Sequence, residues 1–242
     1  MKAVLVFFGV ACSGFAFAEG VKEWTFNSEL QRVWMPKNFV AIPSNAGKFD
    51  FRSLTGTGSS AAFRGEILYR PGGRATEWRL MLAPLELSGT GRFTSPVSFQ
   101  GANFASGIDT LGKYKFNSYR LTYRRAVSEN WMIGATLKVR DARILLKQGG
   151  LQRSKSDLGV VPLLNIYGRQ PLGSGFTLIT DFDGSWAPQG RAFDLSLQLG
   201  YDISKDWQIR AGARVLEGGA DVPAVYNFTQ LNYLTLGTSV RF

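Results

Sequence analysis

Apolar and polar residues alternate along much of the chain, and the alternation is clearest towards residue 242. Between residues 193 and 203 the odd positions carry apolar side chains, whereas the even positions are polar, charged or glycine. After Ser204–Asp206 the alternation resumes over 207–215, and a last run covers 233–242. Because successive side chains of a strand point to opposite faces, this period of two predicts three consecutive β-strands with one apolar face each.

Similar but less regular runs precede these three strands. They cover residues 63–70, 77–82, 118–124, 131–140, 160–169 and 176–186, and a first strand is expected near Lys48–Leu54. Short turns such as 71–73 and 128–130 alternate with longer connections such as 88–112 and 218–226, which is typical of transmembrane barrels. We therefore predict an all-β fold over residues 46–242, a closed antiparallel up-and-down transmembrane β-barrel of about ten strands. The alternative is eight strands, if Lys48–Arg70 lies outside the wall.

The first residues have the features of an export signal. Lys2 is followed by an apolar run to Phe17, and Ala16–Ala18 matches the small-x-small pattern of a cleavage site. These features predict a secretory signal peptide over residues 1–18. The alternatives are a lipoprotein signal ending at Cys12 and a membrane anchor, for which the run is shorter than the ~20 residues of a spanning helix. Residues 19–45 are expected to form a periplasmic leader or a short helix.

Composition narrows the chemistry that such a barrel can perform. The chain has 242 residues, 28 Lys and Arg against 18 Asp and Glu, no His and one Cys. The absence of His excludes histidine-dependent catalysis, and a single Cys cannot form an intramolecular disulfide or a thiolate zinc site. We therefore expect no cofactor and no metal. The formal charge of +10 would also suit nucleic acid, but nucleic acid is not an expected partner of an exported chain.

Three features favour a barrel in lipid over a soluble barrel with an apolar interior, which is the alternative. The polar faces carry many charged residues, as the interior of a membrane barrel does. Aromatic residues lie near the predicted strand ends, where a membrane would meet water. The third feature is the last run, which ends at residue 242 and carries Tyr233, Leu234, Leu236, Val240 and Phe242.

This last run resembles the C-terminal signature of bacterial outer-membrane β-barrels. The resemblance identifies a class of protein and covers the export signal, the strand layout and the last strand. It implies the outer membrane of a Gram-negative bacterium as the location. It also implies that the barrel-assembly machinery recognises Tyr233, Leu234, Leu236, Val240 and Phe242 as an assembly signal.

Charged residues on the polar faces of neighbouring strands are the main candidate site. They are Asp181, Asp183, Asp194, Arg210, Arg214, Arg120, Arg124, Lys138 and Arg140. The favoured interpretation is a network of ion pairs that fills the lumen, since Arg pairs well with carboxylates. The alternative is a hydrolase in which Asp181 and Asp183 activate water and Asp194 orients them. The many neighbouring Arg side chains argue against this alternative, because they should keep the acids ionised.

Two groups of residues in the longer connections could bind ligands. Basic residues are expected at the outer end of one hairpin, where the phosphates of lipopolysaccharide lie. They are Arg143, Lys147, Arg153 and Lys155. The alternative for them is ordinary solvated charge. Glu217 and Asp221 flank a glycine pair and could ligate a hard cation, although a tight loop is the simpler interpretation.

These observations favour a non-catalytic integral outer-membrane β-barrel with a charge-filled lumen and a structural or interaction role in the cell envelope. Outer-membrane lipid and lipopolysaccharide are its expected partners. The lipid A deacylases, the palmitoyl transferase and the phospholipase of this membrane use a catalytic His, and barrel proteases of this size use Asp and His. None of these mechanisms can be carried over to a chain without His. The alternatives are a narrow channel that prefers small anions and the aspartate-based hydrolase.

Overall fold

The computed structural model describes residues 23–56, 58–71 and 75–242, which form strands and one short helix. In chain order the elements are β1 (Trp24–Ala41), β2 (Phe49–Asp50), α1 (Arg52–Thr55), β3 (Ser60–Tyr69), β4 (Thr76–Ala83), β5 (Glu86–Arg92), β6 (Val97–Phe99), β7 (Ala102–Phe104), β8 (Asp109–Ala126), β9 (Trp131–Gln148), β10 (Leu151–Gly173), β11 (Phe176–Ala187), β12 (Gly190–Asp202), β13 (Trp207–Val222) and β14 (Val225–Arg241). The predicted signal peptide, residues 1–18, lies outside the described residues. Within them, no helix has the length and apolar character needed to cross a bilayer.

The wall strands form one closed antiparallel barrel. Each wall strand pairs with its neighbours in the chain, and β14 pairs with β1 to complete the ring. At this seam Trp24 and Phe242 exchange two backbone hydrogen bonds of 3.1 and 3.0 Å. β4 and β5 both pair with β8 and act as one wall strand interrupted at Pro84–Leu85, so ten strands cross the wall. The prediction of an all-β barrel of about ten strands is confirmed.

The first wall strand lies earlier in the chain than the sequence analysis predicts. β1 pairs with β14 on one side and with β3 on the other, so residues 24–41 belong to the wall. The prediction of a periplasmic leader over 19–45 is therefore wrong for these residues. Lys48–Leu54 is not the first wall strand either, because it contains the two-residue β2 and most of α1. Alternation does not predict β1 as a strand because its inward positions change from polar to apolar halfway along, from Gln31 to Val33.

Several connections that the sequence analysis predicts as long loops are instead continuations of the strands. β9 and β10 stay paired up to a turn at Gly149–Gly150, and β13 and β14 up to a turn at Pro223–Ala224. Two other connections fold over the top of the barrel. Residues 42–56 hold β2 and α1, and residues 93–108 hold the β6–β7 hairpin.

The outer surface of the lower barrel, the end that carries Trp24, is apolar. Exposed aliphatic side chains cover its wall, among them Leu80, Leu121, Leu137, Leu197 and Leu236. Aromatic pairs ring its lower rim, with centroid distances of 4.5 Å for Trp24–Tyr69, 4.8 Å for Trp78–Tyr123 and 4.9 Å for Phe176–Tyr201. An outward apolar band above an aromatic girdle is the surface that a barrel presents to lipid and to the lipid–water interface.

The strands exchange their apolar and polar faces partway up the barrel. On β8 the lower inward position is the buried Arg120, whereas the upper inward positions are Phe116 and Tyr114. The outward positions change in the opposite sense, from Tyr119 to Lys115. The strands therefore present apolar side chains outward below and polar side chains outward above, as expected of a wall that passes from lipid into water.

We call the upper part of the barrel the head. Its interior is an apolar core formed by the upper strands and by the two connections that fold over the top. The core comprises Val33, Met35, Val40, Ile42, Phe49, Phe51, Leu54, Leu85, Leu87, Phe93, Val97, Phe99, Phe104, Tyr114, Phe116, Ile144, Leu146, Leu216, Leu231 and Tyr233. Burial of so many large apolar groups stabilises the head in water as it does the core of a soluble domain.

The helix α1 covers a break in the wall of the head. The ladder between β3 and β4 ends at the Gly65–Leu82 pair, so these strands leave a space between β1 and β5 above it. α1 packs on β5 at this place, and glycine allows its close approach. A Cβ atom on Gly91 would lie 2.3 Å from the carbonyl oxygen of Ser53. The two short elements thus complete the upper wall.

Candidate functional site

Three aspartates lie at the centre of the buried charges in the lower barrel. Asp183 on β11 and Asp194 on β12 face each other directly across the ladder, and Asp181 occupies the adjacent inward position of β11. Arg120 bridges the facing pair, donating from Nη1 to Asp183 at 2.6 Å and from Nη2 to Asp194. Arg214 binds Asp194 through two hydrogen bonds of 2.7 Å. These cations offset the repulsion between carboxylates that lie opposite each other.

Asp181 shares its donors with Asp183. Arg79 donates from Nη2 to Asp183 at 3.1 Å and from Nη1 to Asp181. The amide of Asn165 lies 3.0 Å from Oδ1 of each aspartate, and Arg64 lies 3.1 Å from Asp181. Every carboxylate oxygen of the two aspartates therefore accepts a hydrogen bond. This geometry suits fixed ion pairs, whereas a general base needs an oxygen that can reach the proton of a substrate or water.

Three glutamates extend the network beyond the predicted residues. Glu66 accepts a hydrogen bond of 3.1 Å from Arg64, and Glu77 accepts one of 2.7 Å from Arg124. Glu29 lies 3.9 Å from Arg64. Glu66 and Glu77 could have been found from their place on the polar faces of predicted strands. Glu29 could not, because β1 is not recognisable as a strand from alternation alone.

The structure brings together only part of the predicted charge set. Asp181, Asp183, Asp194, Arg120 and Arg214 form the network described above. Arg124 binds Glu77 and stacks 3.5 Å from the centre of the Tyr167 ring. Arg210 donates to Gln208 at 2.9 Å.

Two predicted members lie at the top of the network and bind none of its carboxylates. Arg140 forms an ion pair with Asp157 at the outer end of the lumen. Lys138 is 4 % exposed, and its Nζ lies 4.9 Å from the centre of the Phe116 ring. Among the hydrogen bonds and ion pairs of the described residues, none involves Lys138. Arg140 and Lys138 therefore mark the boundary between the charge network and the head.

The buried charges of the described residues do not balance. The buried bases are Arg64, Arg79, Arg120, Arg124, Lys138, Arg210 and Arg214, and the buried acids are Glu29, Glu66, Glu77, Asp181, Asp183 and Asp194. With all thirteen of these groups ionised, one positive charge is left over among them. Charge buried without a partner is costly, so the excess is a feature that requires an explanation.

A cavity of about 90 Å³ lies at the boundary between the network and the head core. We call it the head cleft. Apolar side chains form its sides, namely Tyr114, Phe116, Ile144, Leu163 and Leu216. Lys138, Asp183 and Asp194 lie at its lower end. The β10–β11 ladder stops at the Leu164–Gly184 pair, so residues 151–163 of β10 pair with β9 alone beside the cleft.

The four basic residues predicted to contact lipopolysaccharide lie on two faces of the β9–β10 hairpin. Arg143 and Lys147 occupy outward positions, and Arg143 lies directly opposite Lys115 of β8. Arg153 and Lys155 pair with the buried Leu146 and Ile144 and so occupy inward positions. Of the four predicted residues, Arg143 and Lys147 are therefore the two that share the outer surface. Alternation within the hairpin distinguishes these two faces, but residues 147–156 are predicted as a loop, to which alternation does not apply.

The residues of the predicted assembly signal lie on β14, at the seam of the barrel. Leu234, Leu236, Val240 and Phe242 are exposed on the lipid-facing side. Tyr233 instead faces inward, and its ring centre lies 4.6 Å from the guanidinium of Arg214. Four of the five residues thus share the outer face of the closing strand.

The acidic pair considered for a hard cation does not converge on a site. Glu217 accepts hydrogen bonds from Arg191, with an Nη2–Oε1 distance of 2.7 Å. Asp221 lies at the end of the β13–β14 hairpin and pairs with Tyr226 across the ladder. In the described part of the chain, no group of three or more acidic, His or Cys side chains could hold a metal ion.

The closed ten-stranded wall, its lipid-facing apolar band and its aromatic girdle define a class of protein. The chain is an outer-membrane β-barrel protein, and its location is the outer membrane of a Gram-negative bacterium. No family model and no curated protein matches the sequence.

Several solved structures of outer-membrane barrels are similar to this chain. The attachment invasion locus protein Ail of Yersinia pestis, in complex with the heparin analogue sucrose octasulfate, has 12% identity and a TM-score of 0.43 over 91% of this chain and 99% of its own. The outer membrane protease OmpT from Escherichia coli has 10% identity and a TM-score of 0.49 over 91% and 94%. The toluene transporter TodX of Pseudomonas putida has 9% identity and a TM-score of 0.40 over 92% and 91%. Likeness at these levels assigns no function to the chain.

Proposed function

We propose that this protein is a non-catalytic and non-conducting outer-membrane barrel, with an interaction or structural role in the cell envelope. The filled interior is the observation that carries the proposal. Arginine side chains hold Asp181, Asp183 and Asp194 in the lower lumen, and the apolar core occupies the head above them. We expect the wall to contact outer-membrane lipid. We also expect the barrel-assembly machinery to recognise β14.

The first prediction concerns ion conduction. A continuous path would have to cross both the arginine–carboxylate network and the apolar head core, and ions do not enter an apolar core. We therefore expect the purified protein to produce no stable openings in a planar lipid bilayer. Stable anion-selective openings would contradict the proposal and support the narrow channel instead. A known open porin, reconstituted under the same conditions, serves as the control for insertion.

The outward basic residues of the β9–β10 hairpin supply the proposed contact with lipopolysaccharide. Arg143 and Lys147 lie on the outward face of β9 above the apolar band, at the height where lipid headgroups are expected. Arg143 lies opposite Lys115, whose Nζ is 2.6 Å from Asp141, so Arg143 adds positive charge beside a pair that is already neutralised. Lipid phosphates at this height would pair with both side chains.

The second prediction tests this contact. Each basic residue near an anionic membrane surface contributes about 1 kcal/mol, so the double variant Arg143→Gln with Lys147→Gln should weaken lipopolysaccharide binding about thirtyfold. The matched control is Arg153→Gln with Lys155→Gln, which removes the same charge from the inward face of the same hairpin. Affinity is measured by titration of lipopolysaccharide into protein in neutral-lipid nanodiscs. Equal weakening by both double variants would show that only net charge matters.

A further inference from the structure

The head cleft combines apolar sides with one buried cation that has no ion-pair partner among the described residues. Lys138 is buried, lines the cleft and takes part in no hydrogen bond or ion pair of the described residues. Arg140 also lines the cleft, and its buried Nε lacks a hydrogen-bond acceptor among the described residues. An unpaired buried cation and an unpaired buried N–H group at one cavity favour a bound acceptor, because each is costly to bury without a partner.

The acids near Lys138 do not supply that acceptor. Arg214 and Arg120 hold the oxygens of Asp194, and Arg79 and Arg120 bind Asp183. The buried bases of the described residues exceed the buried acids by one. Of these bases, Lys138 and Arg210 are the two that bind no carboxylate of the described residues, and of the two Lys138 lines the cleft. A bound anion with a single negative charge would balance the interior.

We propose that the head cleft binds an amphiphilic monoanion, a carboxylate attached to a short apolar group. The carboxylate accepts from Lys138 and Arg140, and the apolar group lies against Tyr114, Ile144 and Leu163. Asp183 and Asp194 also line the cleft and disfavour a second negative charge on the ligand. The apolar sides disfavour a small inorganic anion, which would leave them in contact with water alone.

The rim of the cleft is suited to the entry of an anion. The ion pairs Arg140–Asp157 and Arg191–Glu217 lie at its edge, together with Lys155. Residues 151–163 of β10 pair only with β9 there, so the opening lies between β10 and the β11–β12 hairpin. The site is independent of the proposed non-conducting role, since a ligand bound in the cleft needs no path through the network below it.

The experiment uses the full folded barrel in phosphatidylcholine nanodiscs. Octanoate is titrated calorimetrically into the wild type, Lys138→Met and Lys113→Met, the last being an exposed outward lysine of β8. Octanol serves as the probe without charge, and inorganic phosphate serves as the probe without an apolar group. Lys138→Met retains the apolar stem and removes the unpaired charge, so the variant should remain folded. Heat-modifiable gel mobility checks that each barrel is closed.

We expect saturable octanoate binding to the wild type, a loss of affinity of about tenfold or more in Lys138→Met, and a change of less than about twofold in Lys113→Met. Lack of saturable octanoate binding to the wild type overturns the proposal, as does unchanged binding in Lys138→Met. Equally tight binding of octanol removes the role of the charge and also overturns it. Tighter binding of phosphate assigns the cleft to small anions and overturns the amphiphilic class.

Discussion

Arg120 contacts two carboxylates that lie opposite each other across the β11–β12 ladder. Two facing acids on neighbouring strands repel each other, and burial strengthens the repulsion. The guanidinium is suited to this position because its planar fork presents several donors in fixed directions. A lysine at residue 120 would carry the same charge but could not span both carboxylates in the same geometry. The specificity of the network therefore depends on the shape of the cation as well as on its charge.

The third prediction concerns the removal of one acid from the network. Asp194→Asn leaves Arg214 and Arg120 without their shared counter-charge and changes the size of the side chain very little. Breaking a buried ion pair on one side costs about 3–5 kcal/mol, so the free energy of unfolding should fall by that amount. The urea dependence of heat-modifiable mobility measures it in lipid vesicles.

The matched control for Asp194→Asn is Asp109→Asn. Asp109 accepts a hydrogen bond of 2.6 Å from Arg92 outside the lumen, and both side chains are exposed. Water screens this pair, so its loss should leave the unfolding midpoint unchanged. Similar destabilisation by both substitutions would show that the buried network is not what stabilises the lower barrel.

Alternation predicts which residues face the lumen, but it does not predict their partners. The inward placement of Asp181, Asp183 and Asp194 follows from strand parity alone. The unpaired state of Lys138 depends on the stagger of distant strands, which sequence patterns do not encode. The sequence also does not show that Arg79 of β4 and Arg120 of β8 bind the carboxylate oxygens that a hydrolase would need to keep free.

Among the elements, α1 has an effect out of proportion to its length. It completes the head wall between β1 and β5, and Leu54 at its centre is 1 % exposed within the head core. Its backbone lies against β5 because Gly89 and Gly91 have no side chains. A Cβ on Gly89 would lie 2.7 Å from the Cα of Thr55. Contact with backbone atoms leaves no flexible side chain that could move aside.

The fourth prediction tests this contact between elements. Gly91→Ala should displace α1, because overpacking of this kind costs about 1–3 kcal/mol. Trypsin cleavage after Arg52, which is exposed on α1, should then accelerate about tenfold, since cleavage follows the population of the open form. The barrel below should keep its heat-modifiable mobility.

The control substitution is Gly150→Ala in the β9–β10 turn, where an added Cβ meets no atom within 4 Å. Its cleavage after Arg52 should match that of the wild type. If Gly91→Ala is also cleaved at the wild-type rate, the close approach of α1 to β5 does not hold the helix in place.

The elements that the sequence predicts well are those whose polarity is constant along their length. β11 and β12 keep the apolar face outward and are correctly recognised as wall strands. β1 is not recognised because the apolar residues of its lower half face outward, as in a lipid-facing strand, whereas those of its upper half face inward, as in a soluble core. Over the whole strand the two patterns cancel, and the segment resembles a leader.

At the scale of the molecule, one ring of strands is built to contact lipid in its lower part and water in its upper part. Below, the apolar face points outward and the lumen holds charges, whereas above, the apolar face points inward and the outer face carries side chains such as Lys113 and Lys115. The β8–β9 ladder runs through both parts without a shift in register. The predicted count of ten agrees with the structure because the strand wrongly placed near Lys48–Leu54 takes the place of the unrecognised β1. The height of the barrel above the membrane is predictable only if the inward and outward polarity is assigned separately for the lower and upper half of each strand.

The fifth prediction locates the boundary between the two solvents on a single strand face. Leu137 and Leu145 both occupy outward positions of β9, and Leu137 is 49 % exposed in the apolar band. Leu137→Arg should lower the free energy of unfolding by about 2–4 kcal/mol, because it places a charge in lipid. Leu145→Arg lies in the head and should change it by no more than about 0.5 kcal/mol.

Both variants are compared by urea unfolding in vesicles of one lipid composition. Equal costs at the two positions would mean that the head is also immersed in lipid, which contradicts the assignment of its outer face to water.

The exchange of faces also fixes the immersion depth of the barrel. A uniform apolar cylinder could move along the membrane normal at little cost, but this barrel cannot. Sinking by two residues, about 6–7 Å of strand, would carry Asn117 and Lys115 towards the hydrocarbon. Rising by the same amount would expose the lower aromatic ring, including Trp24 and Trp78, to the acyl chains instead of the headgroups. The outer hairpins are therefore held at one distance from the membrane surface, and whatever binds the head cleft meets it at a constant height.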